Sequence, residues 1–312
     1  MDISDRKNQM FHKGMPYLLL EDQIPFDDIQ KQILEWKKLE IDTFIIYPSF
    51  YFSEEYIEFI KRIVVFASKE KMHVWLYERI PQTTDINQVA KVLQVKEVTQ
   101  WSEAICVPLQ PNERIVSTYL VSKNHDGTIN EDKITCIYPL NTPIIQWIDS
   151  TATIHDTTIQ PFFQTNRRSK KAYECIFLIE STMNNETNPI LPLDLLNSEW
   201  MHTFILQRLD RYKMNIGAYF ETTISGVLLE GAQTMIREEN EKEKLWTKTF
   251  EQILYQEDVH MEELLALFYN IGEKTESVKE KYNKIIRNRI IETFEAPIIE
   301  WCETNKLIVQ KV

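Results

Sequence analysis

Apolar residues along this chain recur with two different spacings, and the two spacings alternate. Tyr17–Leu20, Thr43–Tyr47 and His73-Val74-Trp75-Leu76-Tyr77-Glu78 are short, nearly continuous hydrophobic runs, the pattern of strands buried on both faces. Between them the spacing becomes helical. Ile29, Ile33, Trp36 and Leu39 fall on one side of a helix that Asp27 or Asp28 can cap. Ser53 is placed to cap a second helix, in which Tyr56, Phe59, Ile60, Ile63, Val64 and Ala67 share a face. Strand and helix in alternation predict a parallel sheet with right-handed crossovers.

The pattern changes over residues 102–185. Ile115–Val121 and Ile134–Tyr138 are rich in β-branched and aromatic residues, and Asp126-Gly127 between them is a hairpin signal. Ile144–Ile148 and Tyr173–Ile179 are further strands, so this stretch is expected to be an antiparallel module set into the α/β part. From 186 to the end the α/β pattern returns. Ser198 opens a helix carrying Met201, Phe204, Ile205, Leu209 and Tyr212, and the strand Ile224–Glu230 follows. The polar run Arg237–Lys244 reads as a solvated loop or helix face. A long helical pattern through Tyr282, Ile285, Ile286, Ile290, Phe294 and Trp301 should be interrupted at Pro297, before a last strand at Leu307–Val309. The expected organisation is therefore 1–101 and 186–312 as strand–helix units and 102–185 as the β-rich insert.

Composition narrows the chemistry. With 312 residues, 43% of them hydrophobic, the chain can bury a full core. A net charge of −12 argues against a nucleic-acid groove, and no stretch has the length of a membrane span. The N-terminal residues lack the apolar segment of a signal peptide, and the four cysteines are far apart, which together point to a reduced, cytoplasmic protein. Six scattered histidines offer no zinc-ligand spacing, and six glycines leave no phosphate-cradling loop, so neither a zinc site nor a nucleotide cofactor is expected, and a bound metal of another kind is left open. What remains is acid/base chemistry. Glu78 and Glu230 each close a hydrophobic strand, and in a barrel of parallel strands such positions face the catalytic mouth.

Several motifs, taken in order, resemble the alpha-L-rhamnosidase-like glycoside hydrolases (family 106 and its relatives). Trp75-Leu76-Tyr77-Glu78 resembles their Trp-Leu-Tyr-Asp-Glu strand, and Leu193-Asp194-Leu195-Leu196-Asn197 their Asp-Leu-Leu-Asn-Pro segment. Arg211-Tyr212 through Tyr219-Phe220 and Ile224-Ser225-Gly226 are similar to the lead into their acidic strand. Trp246-Thr247 with Phe250, then Ile299-Glu300-Trp301-Cys302, continue the series.

The resemblance implies a TIM-barrel-like (β/α) scaffold, complete or open, with inserted β structure and paired carboxylates that cleave glycosidic bonds. Carried over residue by residue, it makes Glu230 and Glu78 the candidate catalytic acids. Tyr77, Trp75, Trp246 and Asp194 become the candidate sugar-binding residues, the aromatic ones by stacking on a pyranose or else by packing in the core. The chain departs from the family where the chemistry is densest. Glu230-Gly231-Ala232 stands where relatives have Asp-Glu-Pro, Glu78-Arg79 where they have Asp-Glu, and Ile80-Pro81-Gln82-Thr83-Thr84-Asp85 where they have a glycine-rich loop. Only about six barrel-type strands are legible, Tyr173–Ile179 included, against the eight of a closed barrel.

Three readings follow from that comparison. The first is a non-catalytic carbohydrate-binding or accessory protein on an eroded glycosidase scaffold. The second is an active glycosidase using Glu230 and Glu78. The third is an interaction subunit whose open sheet edge, near Leu307–Val312, pairs with a partner chain or with a second copy.

Overall fold

The computed structural model describes residues 11–12, 14–20, 24–48, 53–83, 85, 87–98, 105–110, 112–124, 128–129, 134–136, 144–148, 151–155, 174–183, 191–231, 242–247 and 249–312. The chain divides into two compact units, each discontinuous in sequence. The first comprises 1–82, 198–234 and 290–312, and the second 83–197 and 235–289. The second unit is thus wider than the 102–185 insert read from sequence. It takes in Lys91–Val98 on one side and Glu243–Trp246 with the helices after it on the other.

The first unit is built on a six-stranded sheet in the order Phe11–His12, Met15–Leu19, Thr43–Tyr47, His73–Glu78, Ile224–Leu229, Ile308–Lys311. The last five run parallel, and the short first strand pairs antiparallel at the edge. Each new parallel strand is added on the same side of the one before. The sheet is therefore singly wound, the order of a barrel, yet the described strands form an open sheet and close no barrel.

One side of this sheet faces helices. Phe44, Val74, Leu76, Glu78, Val227 and Leu229 alternate onto that side, as the pairing register requires. Trp36 of the helix Phe26–Lys38 packs on Phe44, with ring centroids 5.6 Å apart. The helix Glu54–Lys69 begins as its sequence indicates, with Ser53 Oγ accepting the Tyr56 N–H at 3.2 Å. The preceding helix does not. Pro25 occupies its N-cap without a side-chain bond, Asp27 and Asp28 lie in the first turn, and Leu39 is exposed beyond the helix end.

Helices here close without glycine. Glu40, Lys71, Glu221 and Lys306 all have φ between 56° and 65°, each in the turn that leads into the next strand. That left-handed conformation is usually left to glycine, and this chain uses long polar residues instead.

The helical run near the C-terminus comprises Lys274–Ile290, a π-turn at Ile291–Glu295 and Ala296–Thr304. Pro297 supplies the reason for the turn. It has no N–H for the Thr293 carbonyl, so the ladder must slip to wider spacing just before it.

The second unit holds a five-stranded antiparallel sheet in the order Glu243–Trp246, Lys91–Val98, Glu174–Thr182, Arg114–Val121, Thr135–Cys136. A three-stranded sheet of Ile144–Ile148, Thr151–His155 and Ile105–Pro108 accompanies it. The strand read from sequence as Tyr173–Ile179 and counted toward a barrel is the central antiparallel strand here. It is bonded to Lys91–Val98 on one side and Arg114–Val121 on the other. The polar run read as a loop ends in a strand, because Glu243–Trp246 pairs with Lys91–Val98. The Asp126-Gly127 turn and residues 237–241 lie outside the described residues. Trp246, Phe250 and Tyr282 form an edge-to-face series with centroids 5.4 and 5.8 Å apart, and the Tyr282 hydroxyl donates to the Leu245 carbonyl.

Candidate functional site

Because the strands of the first unit pair in known register, their side chains can be assigned to layers on either side of the sheet. On the side opposite the helices, Tyr17, Ile45, Trp75 and Gly226 are neighbours across four strands. Gly226 is required there, because an added Cβ would lie 2.3 Å from the Ile308 carbonyl oxygen and 2.8 Å from Trp75 Cζ3. The indole fills the space that a side chain would take. Tyr47, Tyr77 and Leu228 form the next layer toward the carboxyl ends, and Arg79 and Glu230 follow at the mouth.

Three tyrosine rings line this mouth. Tyr47 and Tyr77 have centroids 4.7 Å apart, and Tyr17 lies 6.0 Å from Tyr47 and 6.1 Å from Tyr77, both edge-on. Rings this close pack on one another and leave no slot between them. Tyr77 is itself buried on Ile45, Trp75 and Leu228, while Tyr17 and Tyr47 are partly exposed above that apolar floor. The Arg79 guanidinium lies 5.5 Å from the Tyr47 ring centroid, in cation–π range. Glu230 is half-buried, and its Oε2 accepts the Ile80 N–H at 2.9 Å. Burial pushes the Tyr77 phenol well above its ordinary value, and the Glu230 carboxylate pushes it further the same way. Tyr77 is thus held as a neutral phenol, a hydrogen-bond donor and not a nucleophile.

Glu78 does not join this group. Leu229 pairs with Glu78, so Glu230, one residue on, takes the opposite face. The two backbones are adjacent, with Glu230 N–H donating to the Glu78 carbonyl at 2.8 Å, yet the carboxylates point away from each other through the sheet. Glu78 is 1% exposed and 2.9 Å from Arg208 Nε, which projects from the helix Ser198–Ile216. Tyr212 hydrogen-bonds both partners, and Tyr56 lies within electrostatic range. Burial pushes the Glu78 carboxyl up against the opposing pull of Arg208 and Tyr212. Burial would lower the guanidinium, but Glu78 and the two phenols outweigh it and Arg208 remains a cation. Sealed in this way, the pair ties helix to sheet and meets no solvent-borne substrate.

The other two sequence candidates lie in the second unit and are buried. Trp246 is 0% exposed, in the aromatic series described above, so its contribution is packing. Asp194 accepts the Leu196 N–H at 3.1 Å through Oδ1 and the Thr247 hydroxyl at 2.9 Å through Oδ2. Desolvation raises its carboxyl to about 6 despite those bonds. It anchors the start of the segment that follows Leu191–Pro192. Glu180, also buried there, takes Lys91 at 3.1 Å and Arg114 at 2.6 Å. Among the described residues no group of three or more His, Cys, Asp or Glu is arranged to hold a metal ion, and no helix is long and apolar enough to cross a membrane.

Of the six sequence candidates, the structure brings together Trp75, Tyr77 and Glu230. Tyr17, Tyr47 and Arg79 were missed, although the signal was present. Tyr47 closes one strand and Tyr77 and Arg79 stand at the end of the next, so the three share one pleat face at the carboxyl end. Comparison of the chain with protein-family models and with curated proteins finds no match, and no family assignment follows.

Proposed function

We propose that this protein is a non-catalytic carbohydrate-binding or accessory protein on a glycosidase-like α/β scaffold, with the ligand at the Tyr17–Tyr47–Tyr77–Arg79–Glu230 mouth. One observation carries this reading: Glu78 and Glu230 project from opposite faces of the sheet, and Glu78 is bound into a buried ion pair with Arg208. Glycoside hydrolysis needs two carboxyl groups flanking one bond, roughly 5–10 Å apart across a common space. Among the described residues the mouth holds one carboxylate, that of Glu230. A cluster of phenols, one guanidinium and one carboxylate over an apolar floor suits a polyhydroxylated ligand, whose C–H faces stack on rings while its hydroxyls exchange hydrogen bonds. The motif resemblance to alpha-L-rhamnosidase-like hydrolases supports a retained scaffold whose reaction has been lost.

Binding of a panel of monosaccharide glycosides, followed by ligand-observed NMR, tests the reading. Binding weakened by Tyr47→Ala without any turnover is the expected result. Binding indifferent to Tyr47→Ala and Glu230→Gln would move the site elsewhere.

A second reading rests on a separate observation. Among the described residues Ile308–Lys311 is an edge strand, and Ile308 is 58% exposed on it, an edge suited to pairing with a partner chain. Sedimentation of the intact chain separates the two readings. A monomer that binds sugar supports the first, and a dimer disrupted by Ile308→Lys supports the second.

A further inference from the structure

The mouth is electrostatically uneven, and the unevenness bears on which sugar would bind. This step rests on the sugar-binding reading above. Glu230 is half-buried, carries one anchored oxygen and has no ion-pair partner among the described residues. The anchor is informative in itself. The Ile80 N–H holds Oε2, so the carboxylate is fixed in orientation, while its second oxygen takes no bond from the described residues. Arg79 and Glu230 stand on neighbouring strands, but the Arg79 guanidinium leans over Tyr47. Tyr47 belongs to the strand on the far side of His73–Glu78 from Glu230. The Tyr77 phenol interacts electrostatically with Glu230, and burial keeps it neutral and therefore unable to compensate the charge.

We propose that the mouth prefers an amino sugar, with the ammonium group donating to Glu230 and the ring hydroxyls meeting the phenols. An ammonium brings several charged donors to a fixed, half-buried carboxylate that has no ion-pair partner among the described residues. A neutral sugar can donate only a hydroxyl there. A uronic acid would set its carboxylate against Glu230. A charge-assisted hydrogen bond is about twice as strong as a neutral one, which for a half-buried pair amounts to roughly tenfold in affinity.

The experiment titrates the full-length protein with four probes: methyl glucosaminide, methyl N-acetylglucosaminide, methyl glucoside and methyl glucuronide. Binding is read by ligand-observed NMR at low and at high salt. The expected result is that the glucosaminide binds about tenfold tighter than the glucoside, that salt erodes the preference, and that Glu230→Gln removes it, bringing the two ligands to the same affinity. Gln retains an oxygen to accept the Ile80 N–H, so the variant isolates the charge. Equal binding of glucosaminide and glucoside, or a preference that survives Glu230→Gln, overturns the inference and leaves the sugar-binding reading standing. If none of the four probes binds, both fall.

Discussion

Removing the Arg208 side chain is the most demanding perturbation of this structure, because it leaves Glu78 charged and sealed with no cation. Glu78 is 1% exposed and Arg208 is 6% exposed, and Nε and Oε2 are 2.9 Å apart. Breaking one side of such a pair typically costs about 3–5 kcal/mol, most of it the desolvation of the orphaned charge. With a urea m-value of about 2 kcal/mol per molar, Arg208→Met should lower the unfolding midpoint by roughly 1.5–2.5 M.

The pH dependence follows from the same charge. The folded-state pKa of Glu78 is already raised by burial, and loss of Arg208 raises it further. A carboxyl whose folded pKa lies above its unfolded one favours the folded state at low pH, and that contribution is lost as pH rises through the folded value. The deficit of Arg208→Met should therefore be small near pH 4 and grow as the pH is raised to 8. Glu78→Leu with Arg208→Met removes both charges and should recover most of the loss, since apolar replacement of a buried pair is often neutral. Urea titrations at the two pH values read all of this. A single variant as stable as wild type at pH 8, or a double variant no better than the single one, would refute the buried-pair reasoning.

Other outcomes are specific to single sites. Gly226→Ala should cost at least about 1–3 kcal/mol and change Trp75 fluorescence, because the new methyl has no room beside the indole and the Ile308 carbonyl. Asp194→Asn should remove a pH dependence. The wild-type carboxyl titrates at about 6 when folded against 3.8 ordinarily, so its contribution falls away between about pH 4 and 6, and the variant should gain on wild type by up to about 3 kcal/mol by pH 7 in matched urea titrations. Lys71→Gly relieves a left-handed residue at φ 59°, and thermal unfolding should show it neutral to about 1 kcal/mol more stable; a clear loss would mean the Lys71 side chain contributes contacts of its own.

The parallel strands at Thr43–Tyr47, His73–Glu78 and Ile224–Leu229 were legible because burial on both faces writes itself as an unbroken apolar run. The Ser53 cap and the break at Pro297 were legible because their chemistry is local. Other features depend on pairing, which one-dimensional spacing does not carry. Nothing in Glu174–Thr182 says whether its neighbours run parallel or antiparallel, so it was counted toward a barrel that the described strands do not close. The helix-closing turns were invisible for a related reason, as Glu40, Lys71, Glu221 and Lys306 give none of the glycine signal expected at φ near 60°. At the site, Glu78 and Glu230 look equivalent as acids ending hydrophobic strands. Their difference is one step of register, and one step reverses the face. Trp246 and Asp194 drew notice through their motif positions, and only burial showed them to be packing and anchoring residues.

With Glu230 the one carboxylate at the mouth among the described residues, the two-carboxylate reaction should be absent. Release of nitrophenol from aryl rhamnosides and related aryl glycosides, measured for wild type beside Glu230→Gln, tests it most directly. Loss of a general acid or base removes about 10²–10⁴ in rate, so no release above background is expected from either protein. Turnover by wild type that disappears in Glu230→Gln would contradict it.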